Sequence, residues 1–176
     1  MDFKEMVMSL NFSDPSVQVS SDPERSRYRD DVVTYKTAYL LYQKAERKAK
    51  LRKLFCMLTG RCYTLRNFSQ AVGHCCVNIQ ASLGIQAVEL HKIRGSESCY
   101  QDFDADFNPL AVKDRKRWIY IAEQYLRGYG LAEVDLLKIG GEYFVRDGHQ
   151  RISVMRALGY RFVDANVTVW SPTETY

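Results

Sequence analysis

The chain has 176 residues, 46% of them hydrophobic, and a formal net charge of +4, which supports one compact domain plus an extension. No apolar run approaches the ~18 residues of a membrane span, and Met1-Asp2-Phe3-Lys4-Glu5 lacks the basic-then-apolar order of a signal peptide. The five cysteines are odd in number and form no C-x-x-C pair, so reduced thiols fit better than a disulfide framework, and the expectation is a cytoplasmic protein with no membrane partner.

Residues 1–30 carry Ser13-Asp14-Pro15-Ser16 and Ser20-Ser21-Asp22-Pro23 and little apolar periodicity, which predicts a loosely ordered arm with a short turn around Phe3 to Leu10. A long amphipathic helix is expected over about residues 31–59, started by Asp30 and Asp31 and stopped by Gly60. Tyr35, Ala38, Tyr42, Ala45 and Ala49 share one face, with Leu54, Phe55 and Leu58 continuing it. The charge is concentrated on this extension, residues 31–66. From Lys44 to Arg66 the bases Lys44, Arg47, Lys48, Lys50, Arg52, Lys53, Arg61 and Arg66 stand against Glu46 alone. Such a back is either a solvated helix face or a surface for an acidic partner, DNA or an anionic surface. The apolar stripe fits a homodimer or packing on the chain's own domain.

Residues 67–85 read as a linker. His74-Cys75-Cys76 has zinc-ligating residue types, but adjacent cysteines rarely hold one ion and no second pair stands at finger-like spacing, so unliganded thiols are expected. From residue 86 to 172 the pattern is that of a small α/β (α+β) domain with a mixed sheet. Gln86 to Ile93 alternates like a half-buried strand, and Gly95-Ser96-Glu97-Ser98 breaks it. Tyr100 to Pro109 is an acidic, aromatic loop. Lys113 to Arg127 is helical, with Trp118, Ile121, Ala122, Tyr125 and Leu126 inward. Glu133 to Ile139 and Tyr143 to Arg146 are strands joined by a Gly140-Gly141 hairpin turn. His149 to Leu158 is a helix closed by Gly159, and Arg161 to Trp170 is a last strand.

The most informative stretch is Tyr143-Phe144-Val145-Arg146-Asp147-Gly148-His149-Gln150-Arg151-Ile152-Ser153. A strand ends in a glycine turn and a helix begins at once. Free N–H groups and the positive end of the helix dipole meet there, a natural seat for a phosphate. Gly148 lets backbone approach closely, and Arg151 supplies a permanently charged donor fork. Asp147 either caps the helix or holds a metal-bound water. A plain helix start capped by Asp147 is the alternative.

This strand–turn–helix, with Ala157-Leu158-Gly159 after it, resembles the ParB N-terminal / sulfiredoxin-like superfamily. Within it the chain is similar to a bacterial branch of ParB-like proteins of largely unassigned function. The likeness also rests on Ala45 to Arg52 with Leu58 to Arg61, on Ile93 to Glu97, and on Asp102 to Leu110. It covers about residues 40–170. The resemblance implies a site for CTP, ATP or ADP with Mg²⁺, the phosphates held by Gly148, His149, Gln150 and Arg151 beside Asp147 and Ser153. It implies a regulatory nucleotide binder, with DNA contacted through Lys44, Arg47, Lys48, Lys50, Arg52, Lys53 and Arg61. The alternative is a small-molecule kinase of the free serine kinase type or a nucleotide hydrolase, with a nuclease as a weaker one. An enzyme would use His149, Glu97, Asp102 and Asp104, the last two also as Mg²⁺ ligands. His149 stands where sulfiredoxins carry their catalytic cysteine, so thiol chemistry is not available. Gln150 replaces a second histidine, leaving proton transfer at the turn to His149 alone.

Overall fold

The computed structural model describes residues 23–60, 64–72, 77–98, 101–110 and 114–172. The arm over residues 1–22, Arg61 and the His74-Cys75-Cys76 triplet lie outside the described residues. In chain order the elements are α1 (Pro23–Thr59), β1 (Arg66–Asn67), α2 (Phe68–Val72), β2 (Val77–Glu89), β3 (Ile93–Ser96), α3 (Arg115–Leu126), β4 (Val134–Ile139), β5 (Glu142–Asp147), α4 (His149–Ala157) and β6 (Phe162–Pro172). The protein is of the α/β class, with helices on a mixed six-stranded sheet ordered β1-β3-β5-β4-β6-β2. β1, β3 and β5 run parallel, β4 and β6 run parallel, and β5–β4 and β6–β2 are antiparallel.

Period-two alternation sends neighbouring strand residues to opposite faces. Leu136 and Val145 join the cluster under α4, with Ile152, Met155, Phe103 and Phe107. Leu137 and Phe144 join Phe68 of α2 on the other face. Gly95 of β3 accommodates this packing, because a Cβ there would lie 2.6 Å from the Phe144 ring. α4 is the middle layer. Its Val154 turns from the sheet into a third cluster, with Ala38, Leu41, Tyr42 and Ala45 of α1 and Trp118 and Ala122 of α3. Tyr42 and Trp118 meet edge to face at 5.4 Å. The inner stripe of α1 thus packs on its own α/β unit.

Several boundaries differ from the sequence pattern. α1 starts at Pro23, because proline is favoured at a first helical position, so residues 23–30 are helical rather than loose. Residues 67–85 hold α2 and most of β2 instead of a linker, since Val77 to Ile85 also alternates apolar and polar. The expected strand over 86–93 is cut by a 3-10 turn at Leu90–Lys92, where the chain leaves β2 and crosses to β3. The Arg156 guanidinium secures this corner by donating to the Ile93 carbonyl at 2.8 Å and to that of Leu90. Leu54, Phe55 and Leu58 are exposed. The stripe through the buried Ala45 and Ala49 continues at helical spacing to the half-buried Arg52 and the buried Cys56, so 54, 55 and 58 fall outside it.

Candidate functional site

β5 ends at Asp147, Gly148 caps α4 with φ 98°, and α4 begins at His149. No side chain caps this end. A Cβ on residue 148 would lie 2.5 Å from Val134 Cγ1, so the turn excludes any other residue by both conformation and space. The first N–H groups of α4 thus have no side-chain cap among the described residues, and the turn that carries them lines a pocket of ≈ 260 Å³.

The turn residues Asp147 to Arg151 line that pocket, together with Ser98, Asp102, Phe103, Asp114, Arg117, Ile121 and Arg146. Three arginines and three aspartates face it. Arg151 is largely committed: Nη1 donates to the carbonyls of Ala132 and Glu133, both at 2.7 Å, and Nη2 to Asp147 Oδ2 at 2.6 Å. Asp147 therefore clamps Arg151 rather than capping the helix. Arg146 pairs with Glu97 at 3.2 Å. Arg117 is exposed and makes no ion pair among the described residues. The side-chain oxygen of Gln150 is buried without a hydrogen-bond partner among the described residues, an acceptor left over at the pocket wall.

His149 is buried, stacked on Phe103, with Nε2 2.7 Å from Ser96 Oγ. Ser96 Oγ also accepts the Ser98 N–H at 3.1 Å. Burial holds the imidazole below its ordinary pKa of 6.5, against the opposing pull of Asp147 and Asp102. Burial thus favours the neutral imidazole.

Of the residues expected at this site, Asp147, Gly148, His149, Gln150, Arg151 and Asp102 are brought together. Ser153 is not. It is buried between α4 and α3, where its Oγ accepts Trp118 Nε1–H at 2.8 Å. Asp104 is not either. It is fully buried and folds its own loop, accepting from the Asp106 N–H at 2.9 Å, the Asn108 N–H at 2.8 Å and Asn108 Nδ2, with Arg52 Nε at 3.6 Å. Asp104 thus holds its own loop together and is absent from the pocket lining. Glu97 is absent from the pocket lining and ion-paired to Arg146. No group of three or more His, Cys, Asp or Glu that could hold a metal occurs among the described residues. A magnesium ion at this pocket would meet Asp102 and Asp114 and depend on oxygens its ligand brings.

On α1, Lys44, Arg47, Lys48, Lys50 and Lys53 are exposed, whereas Arg52 is half-buried and paired with Asp104 and Asp106. No helix among the described residues is long and apolar enough to cross a membrane. Pocket residues that the sequence pattern did not single out are Ser98, Asp114, Arg117 and Arg146. Arg146 was adjacent to the turn in the quoted motif, while Arg117 reaches it only through the packing of α3 on α4. Comparison with protein-family models, with curated proteins and with solved structures finds no match for this chain.

Proposed function

We propose that the chain is a cytoplasmic, ParB-like nucleotide-binding module whose pocket at Gly148 to Arg151 takes the phosphates of CTP, ATP or ADP. One observation carries the reading: an uncapped helix N-terminus opens into a pocket that Arg117, Arg146 and Arg151 also line. Amide donors, the helix dipole and fixed guanidinium charge all favour an anion there. The orphan Gln150 oxygen offers an acceptor that a ribose hydroxyl or amino group would satisfy. At ≈ 260 Å³ the pocket is smaller than the ~300–1,000 Å³ of typical ligand sites, which fits the phosphates and leaves the base largely outside. Weak discrimination among bases follows. Magnesium enters as the counter-ion of the phosphates, with Asp102 as its protein contact.

The kinase or hydrolase alternative keeps only Asp102 and His149 of its four carriers at the pocket, and this supports binding over turnover.

Calorimetry with CTP, ATP and ADP in the presence of Mg²⁺ tests the reading. Arg117→Ala is the informative variant, because that side chain is exposed and outside the ion pairs that hold the turn. A charge-assisted hydrogen bond contributes ~1.5–3 kcal/mol, so its loss weakens binding roughly 10- to 150-fold. No binding of any of the three nucleotides, or equal binding by Arg117→Ala, rejects the site.

A further inference from the structure

Helix α1 has two faces of different character. Its inner face, Ala38, Tyr42, Ala45 and Ala49, is buried against the rest of the fold. On the opposite side Lys44, Arg47 and Lys48 are exposed. Further along that same side come Leu51, Leu54, Phe55 and Leu58, at i, i+3, i+4 and i+7, which are 67%, 57%, 58% and 80% exposed. Monomeric soluble proteins rarely leave a contiguous apolar ridge of this kind in water. The cationic band precedes the apolar ridge by about 13 Å along the axis, at 1.5 Å per residue.

We propose that the C-terminal turns of α1 dock the protein on an anionic lipid surface, Leu51, Leu54, Phe55 and Leu58 entering the acyl boundary while Lys44, Arg47 and Lys48 sit among the headgroup phosphates. Charge favours this occupant over a second copy of the chain. Lys44, Arg47 and Lys48 share the ridge's side of the helix, and the one acid from Lys44 to Leu58, Glu46, is engaged by Lys50 at 3.2 Å, so two such faces repel. Nucleic acid would satisfy the cations and leave the four apolar side chains wet. A lipid interface satisfies both sets, in the order the helix presents them. A helix entering obliquely meets headgroups first and acyl chains with its tip, and interfacial helices bury their apolar face about 5–10 Å deep. Two turns of apolar face hold the protein on a surface and do not span it.

Co-sedimentation of the full chain with vesicles of phosphatidylcholine alone, or mixed with phosphatidylglycerol, reads the proposal directly. Binding is expected to the mixed vesicles only and to fall as salt is raised. Leu54→Gln with Phe55→Gln, both on the exposed side, lowers the vesicle partition by on the order of 100-fold. Lys44→Gln with Lys48→Gln lowers it about 25-fold, at roughly fivefold per cation near an anionic leaflet. An unchanged thermal midpoint shows that the variants fold. Three results overturn the proposal: no partition into the mixed vesicles, partition that the Leu54/Phe55 pair leaves intact, or vesicle-independent dimerisation abolished by that pair. Duplex DNA binding that is lost with the lysines, in a protein that ignores vesicles, reassigns the face to nucleic acid and overturns it too.

Discussion

Replacing Ser153 by alanine separates a stability role from a binding role at the start of α4. Ser153 lies two residues beyond the phosphate turn, yet its hydroxyl accepts the indole N–H of Trp118 at 2.8 Å. Trp118 is fully buried, 0% exposed, between α1, α3 and α4. In Ser153→Ala the indole donor keeps its burial and loses its acceptor. An orphaned buried donor costs about 1–3 kcal/mol, and the volume lost, one oxygen, adds little. For a chain of this size that lowers the thermal midpoint by roughly 2–12 °C. The effect should vanish when the donor is removed as well. In a Trp118→Phe background, Ser153→Ala is expected to be nearly neutral, so a double-mutant cycle followed by urea unfolding returns a coupling of about 1–3 kcal/mol. Nucleotide affinity, measured by calorimetry below the unfolding transition, stays as in the parent. An equal cost of Ser153→Ala in both backgrounds would refute the reasoning. So would a drop in nucleotide affinity at unchanged stability, which would return Ser153 to the phosphates.

Gly148→Ala combines a left-handed backbone strain of ~1–2 kcal/mol with a Cβ 2.5 Å from Val134 Cγ1, an overpacking of ~1–3 kcal/mol, so a loss of about 2–5 kcal/mol is expected in urea unfolding. A loss under ~1 kcal/mol would mean that β4 yields easily, contrary to the packing. His149 sets a pH dependence of stability. Its folded pKa is depressed by burial below 6.5, so the unfolded chain takes up the proton more readily. The stability it contributes is fully present above pH 6.5 and is lost as pH falls through the folded value. Unfolding free energy should fall less between neutral and mildly acid pH in His149→Asn than in the parent, and identical slopes would contradict a folded pKa depressed by burial.

The turn itself was legible because a strand run, a glycine and a helix period follow one another without a gap, so local rules suffice from Tyr143 to Leu158. The inner stripe of α1 was legible for the same reason, up to Ala49. What was not legible depends on partners distant in the chain. Asp104 and Ser153 look like acids and hydroxyls near a site, and only packing reveals that Arg52 and Trp118 already engage them. Arg117 stands 31 residues before Gly148 and reaches the pocket because α3 lies on α4. The extension of Leu54, Phe55 and Leu58 along the buried face failed on angle alone, since they start a new stripe rather than prolong the old one.

The place of β6 in the sheet sets the order in which the fold can assemble. β6 is the last element, yet it lies inside the sheet, between β4 and β2. Among the described residues β2 pairs only with β6, whose first residue, Phe162, comes roughly 70 positions after Glu89. At ribosomal rates of about 5–20 residues per second, that interval is roughly 4–15 s. Meanwhile β4, β5 and α4 are contiguous and close through local contacts, which form fast. The nascent chain therefore holds a thirteen-residue strand unpaired during synthesis, with the Gly148 turn already framed and the β4 edge of the sheet still open.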